Sequence, residues 1–188
     1  MVTKTHRRQF LAASGTALLC SLGTPALAAV PSLLDAQPTK RALNFNNLHT
    51  GERANIEYWT EGRYEAAALA EINHVLRDWR NNEVHAIDPR LLDLLHVINA
   101  KLETSEPFEI ISGYRSPATN AMLHAESSGV AAKSLHMKGM AIDIRVPGRE
   151  LSVLHETAVA LRVGGVGYYP SPDFVHVDVG RVRYWGQS

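Results

Sequence analysis

The chain has 188 residues and a balanced charge, with 19 Lys and Arg against 19 Asp and Glu, and it contains nine His and one Cys. If a predicted export signal at residues 1–28 is set aside, about 160 residues remain, a length that suits one domain. The sequence has no basic stripe with an aromatic ladder, the pattern typical of nucleic-acid binding. We therefore expect a single domain with no nucleic-acid partner.

Residues 1–28 are predicted to form a twin-arginine signal peptide. The pair Arg7-Arg8 precedes an apolar run that begins at Phe10 and is too short for a stable bilayer span. Ala26-Leu27-Ala28 has the small-x-small pattern of a cleavage site, although an uncleaved amphipathic anchor is the alternative. Cleavage there would remove three basic residues and Cys20, leaving a formal net charge of −3 and no thiol, as suits an oxidising periplasm. We predict periplasmic export by the twin-arginine route, no stable membrane anchor after cleavage, a linker at 29–40 and a domain at 41–188.

Strand and helix patterns alternate through the remainder of the chain. Residues 41–59 predict a hairpin, residues 63–80 a helix, and Asp88-Pro89 the start of a second helix that continues to 102. A short buried strand at 108–111 precedes a helix at 119–127. The remaining patterns predict a strand at 140–145, a helix at 148–163 and strands at 163–170, 174–178 and 181–185. This mixture indicates an α+β fold.

Three side chains in the second half of the chain predict a metal site. Ile142 and its apolar neighbours alternate with Asp143, which places Asp143 on the polar face of a strand. His136 lies in the loop before it, and Gly139 between them lets the chain fold back. His176 lies in a second alternating segment. Two His and one carboxylate leave a tetrahedral zinc ion with one open position, the arrangement of catalytic rather than structural sites, whereas a single His in such a place is usually structural.

The sequence also offers a cation near this site. Arg115 follows the buried strand at 108–111 in a Gly-containing loop, where functional residues often lie. Its guanidinium suits a substrate carboxylate or a developing oxyanion, and the alternative is that it ties down its own loop. Residues 127–133 form a second loop beside the metal motif and are expected to line a cleft.

The motif Ser134-x-His136-x-x-Gly139-x-Ala141-x-Asp143, with Asp173-x-x-His176 later, resembles the D-alanyl-D-alanine carboxypeptidase/endopeptidase family of zinc peptidases. Further segments, at residues 47–52, 111–116 and 164–170, resemble its Gram-negative murein endopeptidase branch and occur in the same order. The resemblance implies an α+β domain with a small antiparallel sheet and helices packed on it, as in hedgehog-type domains. It also implies one Zn²⁺ ion and a role for Arg115 in the site.

Two carboxylates are candidates for the general base. Asp173 stands three residues before His176, where the resemblance implies a Glu or Asp base, although Ser171-Pro172-Asp173 is also a typical turn. Asp178 follows His176 by two residues and so shares its strand face. Asp173 is slightly favoured, and Asp178 stays open as the alternative.

The resemblance implies hydrolysis of peptide cross-links in peptidoglycan, between two diaminopimelate residues. One alternative is a carboxypeptidase that removes a terminal D-amino acid from muropeptides. Another is a non-catalytic peptidoglycan-binding module that contains a zinc ion.

Overall fold

The computed structural model describes residues 39–127 and 129–186, and the predicted signal peptide and the linker as far as residue 38 lie outside this range. The strands in it are β1 Lys40–Asn47, β2 Arg53–Thr60, β3 Arg63–Tyr64, β4 Phe108–Ser112, β5 Ala141–Arg145, β6 Gly165–Tyr169, β7 Phe174–Asp178 and β8 Arg183–Trp185. The α-helices are α1 Ala66–Val75, α2 Pro89–Leu102, α3 Pro117–Glu126 and α4 Leu151–Leu161. Within these residues no helix is long and apolar enough to cross a bilayer.

The eight described strands form one sheet in the order β3-β2-β1-β4-β5-β7-β6-β8. The pairs β1–β4 and β6–β8 are parallel and the other pairs are antiparallel. The expected α+β class is therefore confirmed, but the sheet is mixed and larger than the small antiparallel sheet that the resemblance implied. Parallel neighbours need a longer connection than the tight turn of a hairpin. Such connections are present, because β2, β3 and two helices lie between β1 and β4, and a turn and β7 lie between β6 and β8.

One face of the sheet is buried against helices α2 and α4. Ile142 and Ile144 of β5 and Val175 and Val177 of β7 are fully buried in this core. Because side chains alternate along a strand, Asp143 and His176 point from the opposite face. The helices thus stabilise the sheet from one side and leave the other for polar groups.

Helix α1 is shorter than the predicted helix at 63–80. Tyr64 pairs with Trp59 of β2, so the first residues of the predicted helix extend the sheet instead. At the other end Leu76 leaves the helical conformation, with φ −95° and ψ 13°. The next turn is organised by Asp78, whose Oδ1 accepts a hydrogen bond from the backbone N–H of Arg80.

Candidate metal centre

A single 3-10 turn, Leu135–Lys138, places His136 in the structure. The hydroxyl of Ser134 caps the turn by accepting a hydrogen bond from the N–H of His136 at 3.3 Å. Gly139 ends the turn in the left-handed conformation, φ +63°, and a Cβ there would collide with the carbonyl oxygen of Ala86. Both the conformation and the space require glycine, and the chain can then reverse into β5.

The register of the sheet brings Asp143 and His176 together. Asp143 of β5 lies directly opposite His176 of β7 in an antiparallel pair. Directly opposed residues of such a pair have neighbouring side chains on the same face. His136, Asp143 and His176 are all buried, with exposed fractions of 2%, 6% and 9%.

Three atoms of these side chains converge on one point. Nε2 of His136 lies 3.2 Å from Oδ1 of Asp143 and 3.2 Å from Nδ1 of His176, and the last two atoms are 2.8 Å apart. A tetrahedral zinc ion with bonds of about 2.0–2.1 Å separates its ligand atoms by about 3.3 Å. The spacing of these three atoms is therefore close to that of zinc ligands, and the group could hold a metal ion.

The outer nitrogen of each imidazole has a hydrogen-bond acceptor. Nδ1 of His136 donates to the carbonyl oxygen of Gly113 at 2.7 Å. Nε2 of His176 donates to Oδ2 of Asp178 at 3.1 Å. When the imidazoles are neutral, as in a metal-bound site, these two bonds favour the tautomer whose lone pair faces the convergence point, the usual support for metal-ligating His.

Burial and charge shift the pKa values of the three groups in different directions. Burial lowers the pKa of His136 despite the nearby Asp143 carboxylate. Burial acts to raise the pKa of Asp143, but the imidazoles of His136 and His176 outweigh it and hold this pKa far below its ordinary value. Burial acts to lower the pKa of His176, yet its bonds to Asp143 and Asp178 produce a net rise. The ionised carboxylate is thus the favoured form, as a ligand must be.

Arg115 lies beside this group. Its Nη2 donates to Oγ of Ser112 at 3.1 Å and is 3.4 Å from Oδ2 of Asp143. Its Nε is buried and has no hydrogen-bond partner among the described residues. Burial lowers the pKa of Arg115, which remains a cation because the ordinary pKa of arginine is above 12. A guanidinium that lines the cleft beside the convergence point is suited to bind an anionic or partly negative oxygen.

The carboxylate of Asp178 is fully committed to the protein. Its Oδ1 accepts from the N–H groups of Gly165 and Gly180, and Nη2 of Arg183 donates to its Oδ2 at 2.6 Å. Burial acts to raise the pKa of Asp178, but its bonds to His176 and Arg183 outweigh it, so the net shift is strongly downward. Asp178 therefore has the contacts needed to orient His176, and the downward shift of its pKa disfavours proton uptake.

Asp173 has a different environment from the other predicted site residues. Its side chain is 56% exposed, and Oδ2 accepts from Nη1 of Arg145 at 2.9 Å. Its neighbours Pro172 and Phe174 line the cleft described below, whereas Asp173 itself does not. The structure thus places this carboxylate next to the cleft, in an ion pair.

The convergent side chains lie in a cleft of about 450 Å³. Ser127, Gly129, Val130, Ala131 and Lys133 of the predicted loop line it, together with Arg115. Aromatic side chains also line it. Tyr169 stacks on Phe174 with ring centroids 4.6 Å apart, and its hydroxyl accepts from Nε1 of Trp185 at 2.7 Å. The cleft thus combines an apolar surface with cationic groups, a lining suited to a ligand with apolar and negatively charged parts.

Sequence reasoning missed Arg183 and Trp185, both of which line the cleft. They belong to the three-residue strand β8 at the edge of the sheet. Their only sequence signal is the alternation Arg183-Tyr184-Trp185, which matches Gly165-Val166-Gly167 of β6 once the pairing is known. That pairing is parallel and could not be read from the sequence.

Comparisons with known proteins point to one peptidase family. A family model described as peptidoglycan L,D-endopeptidase MepK matches residues 35–185. The Escherichia coli K12 protein "Peptidoglycan L,D-endopeptidase MepK" is 45% identical over 181 residues, covering 96% of this chain and 97% of that protein. "Probable peptidoglycan L,D-endopeptidase MepK" of Haemophilus influenzae Rd is 41% identical over 182 residues, covering 96% and 95%.

Among solved structures, the Serratia marcescens L-Ala D-Glu endopeptidase ChiX is similar at 22% identity with a TM-score of 0.34. The match covers 50% of this chain and 66% of that one, and this similarity is too low to define a shared fold.

The structure is an α+β domain with a His-Asp-His group that could hold a metal ion. The chain belongs to the M15 peptidase family described as peptidoglycan L,D-endopeptidase MepK, because the family model matches most of its length. The resemblance to the murein endopeptidase branch is thereby confirmed.

Proposed function

We propose that this protein is a zinc-dependent endopeptidase that hydrolyses peptide cross-links of peptidoglycan. The observation that carries the proposal is the convergence of three ligand atoms, from His136, Asp143 and His176, within 3.2 Å of one another in a cleft. The printed names of the relatives supply the substrate class. Zn²⁺ is the proposed ion because two imidazoles and one carboxylate are its usual catalytic ligand set.

When bound, the ion supplies Lewis-acid activation of a water molecule and of the scissile carbonyl. The residues of the chain then have distinct tasks. His136, Asp143 and His176 hold the ion. The guanidinium of Arg115, which lines the cleft, binds the carbonyl oxygen as negative charge develops on it, or a substrate carboxylate.

Asp173 is the proposed general base. It takes a proton from the attacking water at a carboxylate oxygen and passes it to the nitrogen of the leaving amine. Water thereby adds across the amide bond, which yields one carboxylate and one amine. The role requires the exposed side chain of Asp173 to leave Arg145, and its flanking residues already line the cleft. Asp178 is assigned to orienting His176, since one of its oxygens accepts from that imidazole while Arg183 and two backbone amides hold the carboxylate in place.

The proposed target is the link between two diaminopimelate residues. Such a link joins an L-centre to a D-centre, which agrees with "L,D-endopeptidase" in the names of the relatives. The free carboxylates of these residues suit a cleft lined by Arg115, Lys133 and Arg183. A periplasmic location, export by the twin-arginine route, cleavage near residue 28 and a domain at 41–188 complete the proposal.

The deciding experiment is mass spectrometry of purified muropeptides after incubation with the mature protein. Dimers joined through two diaminopimelate residues should be converted to monomers, and a chelator should prevent it. Release of a terminal D-amino acid from monomers would instead indicate a carboxypeptidase. If the zinc-loaded protein leaves all of the muropeptides uncleaved, it would instead be a non-catalytic peptidoglycan-binding module.

A further inference from the structure

The strand β8 at the edge of the sheet reaches the candidate metal ligands across its neighbour β6. Arg183 of β8 pairs with Gly165 of β6, and β7 lies on the other side of β6. A Cβ at Gly165 would be 2.5 Å from Nη1 of Arg183 and would also collide with Oδ2 of Asp178. The missing side chain therefore opens a path from β8 to β7.

The same arrangement recurs two residues along. Gly167 pairs with Trp185 on one side and with His176 on the other. A Cβ at Gly167 would lie 2.5–2.7 Å from the indole of Trp185. The two glycines lie on one face of β6 because they are two residues apart. Together they let both long side chains of β8 lie across β6 toward the polar face of β7.

Arg183 uses this path to hold the buried carboxylate of Asp178. Its Nη2 donates to Oδ2 at 2.6 Å and its Nη1 to Oδ1 at 3.1 Å, a two-pronged contact. The exposed fraction of the Asp178 side chain is 0%, so its charge depends on partners within the protein. The guanidinium is also packed by Trp185, whose ring centroid lies 4.9 Å from its Cζ.

We propose that Arg183 is a positioning residue for His176 and that it acts through Asp178. Arg183 fixes the orientation of the Asp178 carboxylate. Oδ2 of Asp178 then accepts from Nε2 of His176, so that Nδ1 of His176 faces the ligand atoms of Asp143 and His136. The inference rests on the proposed metal site. It means that the edge strand β8 helps to orient a proposed metal ligand on β7.

The test is the affinity of the purified mature protein for Zn²⁺, measured by competition with a chromogenic chelator. Arg183→Met should weaken binding by about 10–100-fold, the usual effect of losing a group that supports a metal ligand. Arg183→Lys, which keeps the charge but not the two-pronged contact, should fall between Met and the native protein. The visible spectrum of the Co²⁺ form should shift in Arg183→Met. Arg181→Met is the matched control, because Arg181 is an exposed neighbour, and it should bind like the native protein.

A double-mutant cycle tests the route through Asp178. In an Asp178→Asn background, Arg183→Met should cause little further loss of affinity, because the intermediary is already changed. If the two losses multiply, Arg183 acts independently of Asp178 and the assignment is wrong.

Native affinity and an unchanged Co²⁺ spectrum in Arg183→Met would also overturn the assignment. If Arg183→Met does not fold, Arg183→Lys decides: an intermediate affinity supports the assignment and native affinity refutes it. Failure of the native protein itself to bind Zn²⁺ would count against the proposed function, so the two failures are distinguishable.

Discussion

Arg145 holds two carboxylates at once, with its Nη1 2.9 Å from Oδ2 of Asp173 and its Nε 2.6 Å from Oε2 of Glu109. The proposed base therefore shares its cationic partner with an acid on β4. Because Glu109 holds Arg145 independently, Asp173 can leave the pair without stranding the guanidinium. The two acids thus allow a comparison in which only one of them has a proposed role in catalysis.

Asp173→Asn should lower kcat by about 10²–10⁴-fold, because the proton acceptor is lost. Zinc content should remain near one ion per chain, since Asp173 is not among the three convergent groups. Glu109→Gln, which removes the other partner of Arg145, should retain most of the activity. Muropeptide turnover and metal analysis on the same samples provide the measurement. A native kcat in Asp173→Asn would place the base elsewhere.

His136→Ala, Asp143→Ala and His176→Ala should each abolish both stoichiometric zinc binding and peptidoglycan hydrolysis. Each change removes one of three protein ligands, and the remaining two are too few to hold a catalytic zinc ion tightly. His74→Ala is the control, because the side chain of His74 is 59% exposed and lies outside the site. Metal content by mass spectrometry and turnover of cross-linked dimers are the readouts. Retention of both properties in His136→Ala would refute the proposed site.

Removal of the metal should lower the thermal stability of the protein reversibly. A ligand at 100 times its Kd stabilises the folded state by about 2.7 kcal/mol, which for a domain of this size corresponds to roughly 5–10 °C in Tm. Thermal unfolding with chelator, and again after excess Zn²⁺ is restored, gives the measurement. His176→Ala should show no zinc-dependent shift. An equal shift in that variant would mean that the ion stabilises another part of the chain.

Asp78→Ala should destabilise the fold by about 2–4 kcal/mol. Asp78 is 1% exposed, and its carboxylate accepts from the backbone N–H groups of Arg80 and Ser116 at 3.1 and 2.9 Å. Its loss leaves both donors without that acceptor beside the loop of Arg115. Asp78→Asn keeps one acceptor oxygen and should cost less. Urea unfolding at pH 7 measures both, and equal stability of all three proteins would contradict the argument.

Asp78 also predicts a pH dependence of the free energy of unfolding. Burial acts to raise its pKa, but hydrogen bonds from Thr119 and Ser116 outweigh it and the folded-state pKa is lowered. The stabilisation is therefore complete above the unfolded value of about 3.9 and is lost as the pH falls through the lower folded value. Asp78→Asn should show a shallower loss of stability below about pH 4. An identical slope in both proteins would exclude this contribution.

The sequence predicted the parts of the structure that depend on local patterns. Alternation in β5 placed Asp143 on the polar face, and Gly139 indicated the reversal after His136, as the structure has them. The helix at 88–102 followed from Asp88-Pro89 and is confirmed as α2.

What could not be predicted depends on contacts between distant segments. The environment of Asp178 is set by Arg183 and by two backbone amides, and it requires the strand order β7-β6-β8. The end of α1 was misplaced because a turn built by Asp78 and a β3 pairing replaced its outer residues. A sequence read alone does not reveal which partners a carboxylate will acquire.

The direct pairing of Asp143 on β5 with His176 on β7 has a consequence for when the site can form during folding. Because β7 follows β5 along the chain, a nascent chain carries the imidazole of His136 and the carboxylate of Asp143 before the imidazole of His176 has been added. A shift of β7 by one position would turn its imidazole toward the helices. The proposed ion can therefore be captured only after β5 and β7 have paired in the correct register, so the proposed hydrolase activity would begin only once this part of the sheet has folded.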